Sequence, residues 1–569
     1  MDKRLSLALL LTAIVVAITP ILFPTPKRPA AGGVQQPGDS AVVVTDTLAN
    51  TRERSQPSVA PLPQGQPRLT EAPDNDENQG SGSASIDSPG RAVEITSVSS
   101  ARSTYQFSSM GAAPVKVSFE KYGNLAPGRG DGRVVLSDSD AALIEYSLVG
   151  ARDTLSLANT VFDVSRETSA TGGEVLTYRA TVGGTGVAIS YTLVPDRYVL
   201  KVAGRITGGQ SRFLLISLPS TLPPTEADTL SDLRTLSYSF KPENDNARGV
   251  PFGKLDPGEK LLERGPLTWA AVRNKYFVVG VLNTGDASFE ELNLTGGPRT
   301  SKVATHASAV IVSGLADETF SFDVYIGPQQ SNELLAMGRD FDHVNPYGWR
   351  FLQPIINPIA ALCIQLLLWL HDTLKLSYGW VLVLFGVFIR MALWPLNQSA
   401  MRASLKMQEL QPRLAEVQKK YKDKPERQRE EMMKVYSEAG ASPFTALSGC
   451  LPMLIPMPVL FALFFVFQNT IEFRGVPFLW LPDISVKDPY YILPVLMGVS
   501  MYVLSWIGLR NAPPNPQAKM MSYMFPVMMT FVLANMASGL NLYYTSQNIA
   551  ALPQQWLLAR ERLRVRQRS

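Results

Sequence analysis

The sequence predicts an α-helical polytopic membrane protein with six transmembrane helices and one exported all-β domain. Long apolar stretches lie near the N-terminus and in the last third of the chain, as expected for membrane spans. Between them, residues 92–341 consist of short strand-like runs separated by turn residues. A stretch rich in Pro, Gly, Ser, Gln and Asp separates the first apolar run from this region, which indicates that the two are connected by a linker.

The N-terminal segment 1–23 is predicted to anchor the chain in the membrane. Residues 5–23 carry no charge and follow Lys3 and Arg4. This run exceeds the apolar core of a signal peptide, about 7–15 residues, and no A-x-A cleavage site follows it closely. An uncleaved anchor with a cytoplasmic N-terminus is therefore favoured over a signal peptide. Residues 24–91 are predicted to be a disordered linker, because such a composition cannot bury enough apolar surface to fold.

Residues 92–341 are predicted to form an all-β domain of the sandwich type. Turn residues such as those of 183–186 and 195–197 separate short strand-like runs, and little helical periodicity is present. The clearest strand predictions are 115–119, 134–136, 143–148, 187–193, 199–206, 277–282, 309–312 and 320–326. No cluster of titratable residues stands out in this region, so the sequence indicates a folded exported domain without a recognisable catalytic site.

Four apolar stretches in the last third predict the helices of a membrane core, 379–558. They cover 379–396, 444–469, 490–508 and 520–558, and Arg390 is their one charged residue. The last stretch is too long for a single span of about 20 residues. A turn at 535–539 divides it into helices at 520–535 and 540–558. With the N-terminal anchor, the prediction is six transmembrane helices.

The segment 342–378 is ambiguous, because residues 351–370 are apolar enough to resemble a further span. Counting them as a span would place the basic loop 397–443 on the same side as the β domain, against the positive-inside rule. We therefore predict an interfacial amphipathic helix here. The loop 397–443 and the Arg-rich tail 559–569 are then cytoplasmic.

The loop 397–443 is predicted to be a helical hairpin. In its first half, apolar positions recur at spacings of 3, 4, 3 and 4, which indicates a seam facing a partner helix: Met407, Leu410, Leu414, Val417 and Tyr421. Pro425 is suited to the first turn of the returning helix. The mixed charges on the outer faces are equally consistent with a solvated surface and with a docking surface for a partner.

The composition excludes several kinds of chemistry. The sequence has two cysteines, Cys363 and Cys450, and three histidines, which is too few for a disulfide framework or a Cys/His metal centre. It contains neither a GxxxxGK[ST] loop nor a GxSxG motif, so nucleotide binding at a P-loop and α/β-hydrolase chemistry are not indicated. We expect no cofactor, no metal and no catalytic residue.

Arg390 is the leading candidate for a functional residue. An arginine at the centre of a membrane costs about 2.5–3.5 kcal/mol on insertion scales, so its side chain should face water or protein. Two interpretations are open: the side chain extends to the cytoplasmic interface, or it lies in a hydrated cavity. The span 540–558 favours the cavity, because Asn541, Thr545, Asn548 and Gln555 share one helical face beside Tyr544. Hydrogen bonding between helices is the alternative explanation of this stripe.

The whole chain resembles the YidC/Oxa1/Alb3 family of membrane protein insertases in its Gram-negative form. The most specific stretches are 388–396 (FIRMALWPL), 449–463 (GCLPMLIPMPVLFAL), 488–498 (DPYYILPVLMG) and 538–548 (SGLNLYYTSQN). The resemblance implies a periplasmic β-supersandwich and a five-helix core around a hydrophilic groove, open to the cytoplasm and the lipid. Arg390 matches the groove arginine and Tyr544 a groove aromatic that contacts substrates. Gly386 stands where relatives often have a small hydroxyl residue, and Pro456 where a polar residue is common.

The resemblance implies an insertase and chaperone of the bacterial inner membrane that inserts and helps fold nascent membrane proteins, alone or with the Sec translocon. The expected partners are nascent membrane proteins, the ribosome (through the hairpin and the Arg-rich tail), Sec translocon components and membrane lipids. A small-solute transporter or channel is the alternative. Such a protein would be expected to show repeated halves and more than one intramembrane charge.

Overall fold

The structure is a computed structural model that describes residues 92–568, and 1–91 and 569 lie outside the described residues. Within that range it leaves out 129–131, 138–141, 151–153, 169–172, 209–210, 286–287, 300–302, 346–351, 396–397, 399–409, 411–412, 423, 439–456 and 510–515. The predicted anchor and linker therefore lie outside the described residues, as do most of the first hairpin helix and the first half of the predicted span 444–469.

The region after residue 92 is built from β-strands, which confirms the prediction of a β domain. The strands are β1 Ile95–Ser99, β2 Ser103–Ser108, β3 Ala113–Gly123, β4 Arg133–Leu136, β5 Glu145–Val149, β6 Thr154–Ser156, β7 Asp163–Thr168, β8 Glu174–Val182, β9 Thr185–Leu193, β10 Val199–Thr207, β11 Phe213–Leu218, β12 Ser237–Pro242, β13 Arg248–Pro251, β14 Lys260–Arg273, β15 Phe277–Asn283, β16 Phe289–Gly296, β17 Ala307–Gly314 and β18 Thr319–Pro328. Each of the eight predicted runs overlaps one of these strands.

The strands form two antiparallel sheets. The smaller sheet has the order β1-β2-β3-β4. The larger runs β6-β5-β11-β17-β16-β14-β15-β18-β10-β9-β8-β7, and β12 and β13 extend it from β14. The sheets share one core, because aromatic rings of the small sheet contact those of the large one: Phe107 lies 4.9 Å from Tyr191 and Phe119 lies 5.2 Å from Phe277, between ring centroids. Such aromatic pairs stabilise a core beyond their buried area.

The other regular elements among the described residues are helices. Two are short and belong to the β domain, α1 Thr229–Leu233 and α2 Ser331–Met337. The others follow it: α3 Gln353–Leu374, α4 Tyr378–Ala392, α5 Pro425–Glu438, α6 Met457–Asn469, α7 Ile492–Leu509, α8 Pro516–Leu533 and α9 Ser538–Arg568. Short 3₁₀-helices cover Phe252–Lys254, Phe341–Val344 and Ile471–Phe473.

Helix α9 is the central element of the helical part. It packs against α4 on one side and α7 on another, while α7 also contacts α8, and α3 contacts both α4 and α6. Because α9 is a single helix to Arg568, most of the segment predicted as a separate tail, 559–569, continues this helix. In the hairpin, α5 begins at Pro425, and the Gln428 side chain donates a hydrogen bond of 3.3 Å to the carbonyl oxygen of Gln418.

Two of the described helices, α3 and α7, are long and apolar enough to cross a membrane. Helix α4, helix α6 and the 522–533 part of α8 are apolar but shorter. The helical part of the prediction is thus confirmed, whereas six spans remain a prediction. Helix α3 meets the length criterion although the charge distribution favours an interfacial position for it.

The loop that connects α6 to α7, residues 470–491, joins the helical part to the β domain and is called the junction loop below. Its Arg474 donates to Glu226 at 2.8 Å, in an ion pair whose side chains are 5% and 7% exposed. Arg474 also donates to the carbonyl oxygens of Gly123 and Thr225. Burial raises the pKa of Glu226 above its usual range, and the neighbouring Arg474 opposes that rise. The β domain is therefore fixed to the loop by a buried ion pair and by two hydrogen bonds from Nη2 of Arg474 to backbone carbonyls.

Candidate functional site: the helix interface around Arg390

Arg390 lies near the end of α4, on the side that faces α9. The helix begins after Ser377 and ends at Ala392, so Arg390 is in its last turn. The side chain is half-buried, and its Nη2 donates a hydrogen bond of 2.8 Å to Oε1 of Gln554 on α9. Among the described residues, no carboxylate forms an ion pair with Arg390. The arginine is thus held by a neutral partner.

Gln554 connects Arg390 to the end of its own helix. This side chain is buried, with 2% of its surface exposed. While its Oε1 accepts from Arg390, its Nε2 donates to the carbonyl oxygen of Trp394 at 3.4 Å, just beyond the end of α4. Gln554 therefore hydrogen-bonds both the Arg390 guanidinium and the backbone that follows α4.

Gly386 allows α4 and α9 to approach each other closely. A Cβ atom at this position would lie 3.0 Å from the carbonyl oxygen of Tyr543 and 3.1 Å from Cβ of Ser546. Backbone atoms cannot yield as flexible side chains do, so a larger residue would separate the helices. Because Arg390 is one turn further along α4, this close approach brings its guanidinium within reach of Gln554.

The α4–α9 interface contains polar atoms that are buried without hydrogen-bond partners among the described residues. They are Nε of Arg390, Nε2 of Gln547 and the hydroxyl of Tyr543, and we call them the donor cluster. The ring of Tyr543 also packs against Phe385 of α4, with centroids 5.8 Å apart. An amide or guanidinium N–H can only donate, so at least two of the three groups call for an acceptor. A buried unsatisfied group costs about 1–3 kcal/mol.

The predicted polar stripe lies on a different face of α9, turned towards α7 and α8. Asn548 donates to the hydroxyl of Ser500 on α7 at 3.0 Å, and Asn541 donates to the carbonyl oxygen of Leu533 at 3.0 Å. Thr545 donates to the carbonyl of Asn541 within α9 at 2.8 Å. These contacts match the alternative explanation of the stripe, in which polar side chains join helices.

The other two predicted site residues, Gln555 and Tyr544, also have no hydrogen bond to Arg390 among the described residues. Oε1 of Gln555 is buried without a hydrogen-bond partner among the described residues, 3.9 Å from a Cβ built on Gly508 of α7. Tyr544 is 8% exposed and packs edge-on against Tyr543, with centroids 5.8 Å apart. In the described structure neither residue hydrogen-bonds to Arg390. A direct role of the polar stripe at Arg390 therefore stays a prediction, and these contacts give it no support.

Sequence reasoning missed the residues that do face Arg390. Tyr543, Gln547 and Gln554 are spaced by 4 and 7 residues, which places them on one face of a helix, about 135° around the axis from the stripe. This second pattern was available in the sequence. It could not be assigned to α4 without knowing which face of α9 that helix contacts.

The chain matches two family models that together cover the β domain and the helical part. The model described as YidC periplasmic domain matches residues 96–362, and the 60Kd inner membrane protein model matches 369–565. The Membrane protein insertase YidC of Chlorobaculum tepidum is 31% identical over 71% of this chain and 71% of its own length. The chain belongs to the YidC family of membrane protein insertases. The insertase YidC of Chlorobium phaeovibrioides is also 31% identical, over 69% of this chain and 72% of its own.

The YidC family is one of inner membrane proteins with a periplasmic domain. A crystal structure titled as an active YidC insertase with its first transmembrane domain resolved covers 82% of this chain and 93% of its own, at 18% identity and a TM-score of 0.33. The family assignment rests on the sequence matches. Both relatives are membrane protein insertases by name, which gives no support to the alternative of a small-solute transporter or channel.

Proposed function

We propose that this protein inserts nascent membrane proteins into the inner membrane, and that the α4–α9 interface around Arg390 receives their polar segments. The observation that carries the proposal is the donor cluster. Its N–H groups are buried without acceptors in the described structure. A polypeptide segment offers acceptors at every backbone carbonyl and at each carboxylate. An entering chain would therefore satisfy groups that are costly to leave unpaired.

The charge of Arg390 favours acidic segments. The guanidinium has a neutral hydrogen-bond partner, and among the described residues no carboxylate neutralises it. A carboxylate that approaches a half-buried arginine gains a charge-assisted hydrogen bond, which is roughly twice as strong as a neutral one. Tyr544, adjacent to Tyr543 of the cluster, is proposed to contact the same segment, as the family resemblance implies.

The exposed sides of α7 and α8 are proposed to guide the apolar part of a substrate into lipid. Large apolar side chains are exposed there, among them Val495, Val499, Val527 and Phe531. Such surfaces are suited to contact with lipid or with another apolar helix. Burial of an apolar segment of about 20 residues supplies the driving force, at roughly 0.8 kcal/mol per CH₂ group. No nucleotide-dependent step is required by this mechanism.

The topology and partners are proposed as the charge distribution predicts them. Both termini and the hairpin are cytoplasmic, the β domain is periplasmic, and α3 lies along the membrane surface as one helix outside the six spans. The hairpin, with exposed pairs such as Lys434–Glu431, and the basic end of α9 are proposed to bind the ribosome, because ribosomal RNA is a polyanion. Sec translocon components and lipids complete the proposed set of partners.

The experiment is an insertion assay with two substrates that differ in the charge of their translocated tail. Arg390→Ala should lower insertion of a substrate with an acidic tail about tenfold, because a hydrogen bond to a charged group is worth about 1.5–3 kcal/mol. A neutralised tail should be affected much less. Arg390→Lys should restore part of the loss, since it retains the charge without the planar donor geometry.

Arg205→Ala is the matched control, because Arg205 is an exposed arginine on β10. It should leave insertion of both substrates unchanged. If Arg390→Ala lowers insertion of acidic and neutral tails equally, the proposed recognition of charge is wrong. If insertion of both tails is unchanged, Arg390 has no role in substrate binding.

A further inference from the structure

A tight turn in the junction loop carries an exposed leucine in an unfavourable backbone conformation. The N–H of Phe478 donates to the carbonyl oxygen of Leu481 at 2.9 Å, and the N–H of Leu481 donates to that of Phe478 at 2.8 Å. Leu479 and Trp480 form the corners of this turn, and Leu479 has a φ of 52°. Turns of two residues normally have Gly, Asn or Asp where φ is positive. Leucine is therefore costly here, and such costs are characteristic of functional positions.

The segment 475–482 around the turn is suited to an apolar medium. It contains no charged residue, and Leu479 is 69% exposed. The flanking residues Pro477 and Pro482 have no N–H, and the two N–H groups bonded across the turn are satisfied. Four of the six residues from the first proline to the second therefore present no free backbone donor. A low demand for hydrogen bonds is what entry into lipid requires.

The turn is held against the first turn of α4. The ring of Phe478 packs edge-on against Trp380 of that helix, with ring centroids 5.4 Å apart. A Cβ built on Gly379 would lie 2.0 Å from the Phe478 ring, so the glycine is needed for this contact. The indole of Trp380 is itself 51% exposed. An exposed aromatic side chain at the start of α4 thus lies beside the turn.

The turn is also hydrogen-bonded to the start of α7. The indole N–H of Trp480 donates to Oδ2 of Asp488 at 3.4 Å, and the same oxygen accepts from the backbone N–H of Leu493 in the first turn of α7 at 2.7 Å. Tyr490, close to this cap, is 68% exposed. Because α7 is long and apolar enough to cross a membrane, its first turn lies at a membrane surface. The turn of the junction loop lies at the same level.

The turn lies on the same side of the membrane as the β domain. The junction loop is fixed to that domain by the ion pair of Arg474 with Glu226, and the Arg474 guanidinium also lies 5.9 Å from the ring centroid of Tyr276. In the YidC family this domain is periplasmic. The turn is therefore at the outer leaflet, and Trp and Tyr are enriched where a membrane meets water.

We propose that the turn 478–481 enters the outer leaflet and contacts lipid at the boundary between headgroups and acyl chains. Leu479 is the apolar anchor, and the aromatic side chains of Trp380, Trp480 and Tyr490 lie at the level of the headgroups. The contact fixes the depth of the junction loop and, through that loop, the height of the β domain above the bilayer. This inference rests on membership of a membrane protein family and is independent of substrate recognition by Arg390.

The test uses the full-length protein with one copy in each lipid nanodisc, so that neither a second copy nor a partner protein covers the turn. The lipid carries a photoreactive diazirine near the ester end of an acyl chain, and mass spectrometry of peptides locates the adducts. The proposal predicts adducts in 478–481. Adducts on the exposed α7 residues Val495 and Val499 are the internal reference. Leu262, equally apolar and exposed at the far end of β14 from the junction, should carry none.

Leu479→Gly should lower the adducts in 478–481 several-fold relative to those on α7, because burial of one leucine side chain changes a partition equilibrium about tenfold or more. Glycine adopts a positive φ without steric cost, so the variant should unfold in detergent at a temperature no lower than the native chain. Leu479→Asn, which also tolerates a positive φ, should give the same loss of adducts. Leu262→Ala is the matched control and should leave the adducts at the turn unchanged.

Two results would overturn the proposal. If α7 is labelled while 478–481 is not, the turn lies outside the bilayer, and its exposed leucine is covered by a protein or faces water. If both variants at Leu479 retain the native level of adducts, the leucine does not anchor the turn. Either result leaves insertion at Arg390 unaffected, because the two sites are tested by different variants.

Discussion

Arg474 at the junction with the β domain and Arg390 between α4 and α9 are both withdrawn from bulk water, yet their surroundings are opposite. Arg474 has a buried carboxylate at 2.8 Å and two backbone carbonyls as acceptors. Arg390 has one amide oxygen at 2.8 Å, and its Nε has no partner in the part of the chain that the structure describes. Arg474 thus has a charged partner within the chain, whereas among the described residues Arg390 has only a neutral one.

This difference separates an arginine that holds the structure from one that is available to a ligand. A buried charge that is paired with an opposite charge and hydrogen-bonded inside the fold stabilises a fixed arrangement. A buried charge with unused donors is costly in the free protein, and that cost is recovered when an acceptor arrives. The comparison therefore predicts that Arg474 controls stability and that Arg390 controls substrate binding.

The largest expected effect is that of Arg474→Ala. It leaves Glu226 buried without its partner, and breaking a buried ion pair from one side costs about 3–5 kcal/mol. Native-state hydrogen exchange of residues 225–226 and of the junction loop should show a loss of protection of that size. Lys434→Ala, which removes an exposed ion pair of the hairpin, should leave exchange at the junction unchanged.

The comparison would fail if Arg474→Ala left the junction as protected as in the native chain. The double variant Glu226→Gln with Arg474→Ala tests the same contrast further. Removing both charges eliminates the unpaired buried carboxylate, so the double variant should recover part of the lost protection.

A smaller effect is expected when α4 and α9 are forced apart. Gly386→Val adds atoms where a Cβ already lies 3.0 Å from the backbone of Tyr543, and overpacking typically costs about 1–3 kcal/mol. Thermal unfolding in detergent measures the loss, and insertion of acidic substrates should fall with it because Gln554 is moved from Arg390. Gly253→Val is the control, since a Cβ there meets nothing within 4 Å. Equal stability of the two variants would show that the close approach is unimportant.

The smallest effect concerns Glu472 in the junction loop. Burial raises the pKa of this carboxyl above the ordinary value of 4.5, and its Oε1 accepts from the backbone N–H of Ser331. The folded chain therefore binds the proton more tightly than the unfolded chain. Stability attributable to Glu472 is complete below pH 4.5 and is lost as the pH rises through the raised pKa.

Glu472→Gln removes this dependence while keeping an oxygen for Ser331. The variant should match the native chain in thermal stability below pH 4.5 and exceed it at neutral pH. Unfolding temperatures measured across that range test the sign. At each pH the stability of the variant is compared with that of the native chain. The prediction is contradicted if this difference is less favourable to the variant at neutral pH than at acidic pH.

The all-β character of the region after residue 92, eight of its eighteen described strands and the helical character of the last third could be predicted from sequence, because alternation and long apolar runs are local signals. Strand β14 was missed, since Gly265 and Pro266 interrupt its pattern and Pro normally marks an edge or a break. In the fold the interruption coincides with a register shift between Arg264 and Leu267; beyond it β14 pairs with β16 at Leu267 and with β15 from Trp269 onward. Such a change of partner is a tertiary feature.

The candidate site was predicted in part. Arg390 could be identified because a lone charge in an apolar run is conspicuous. Its partner could not, because α9 carries polar residues on two faces and the sequence does not say which face meets α4. The stripe with Asn548 is joined to Ser500 of α7, whereas Gln554 is joined to Arg390.

Site-specific photo-crosslinking from these two faces of α9 tests the central claim most directly. A photoreactive residue replaces either Gln554, beside Arg390, or Asn548, beside Ser500, and each variant is mixed with ribosomes that carry a stalled membrane-protein chain. The account predicts that position 554 labels the nascent chain and that position 548 labels α7 of its own chain. Labelling of the nascent chain from 548 and not from 554 would contradict it.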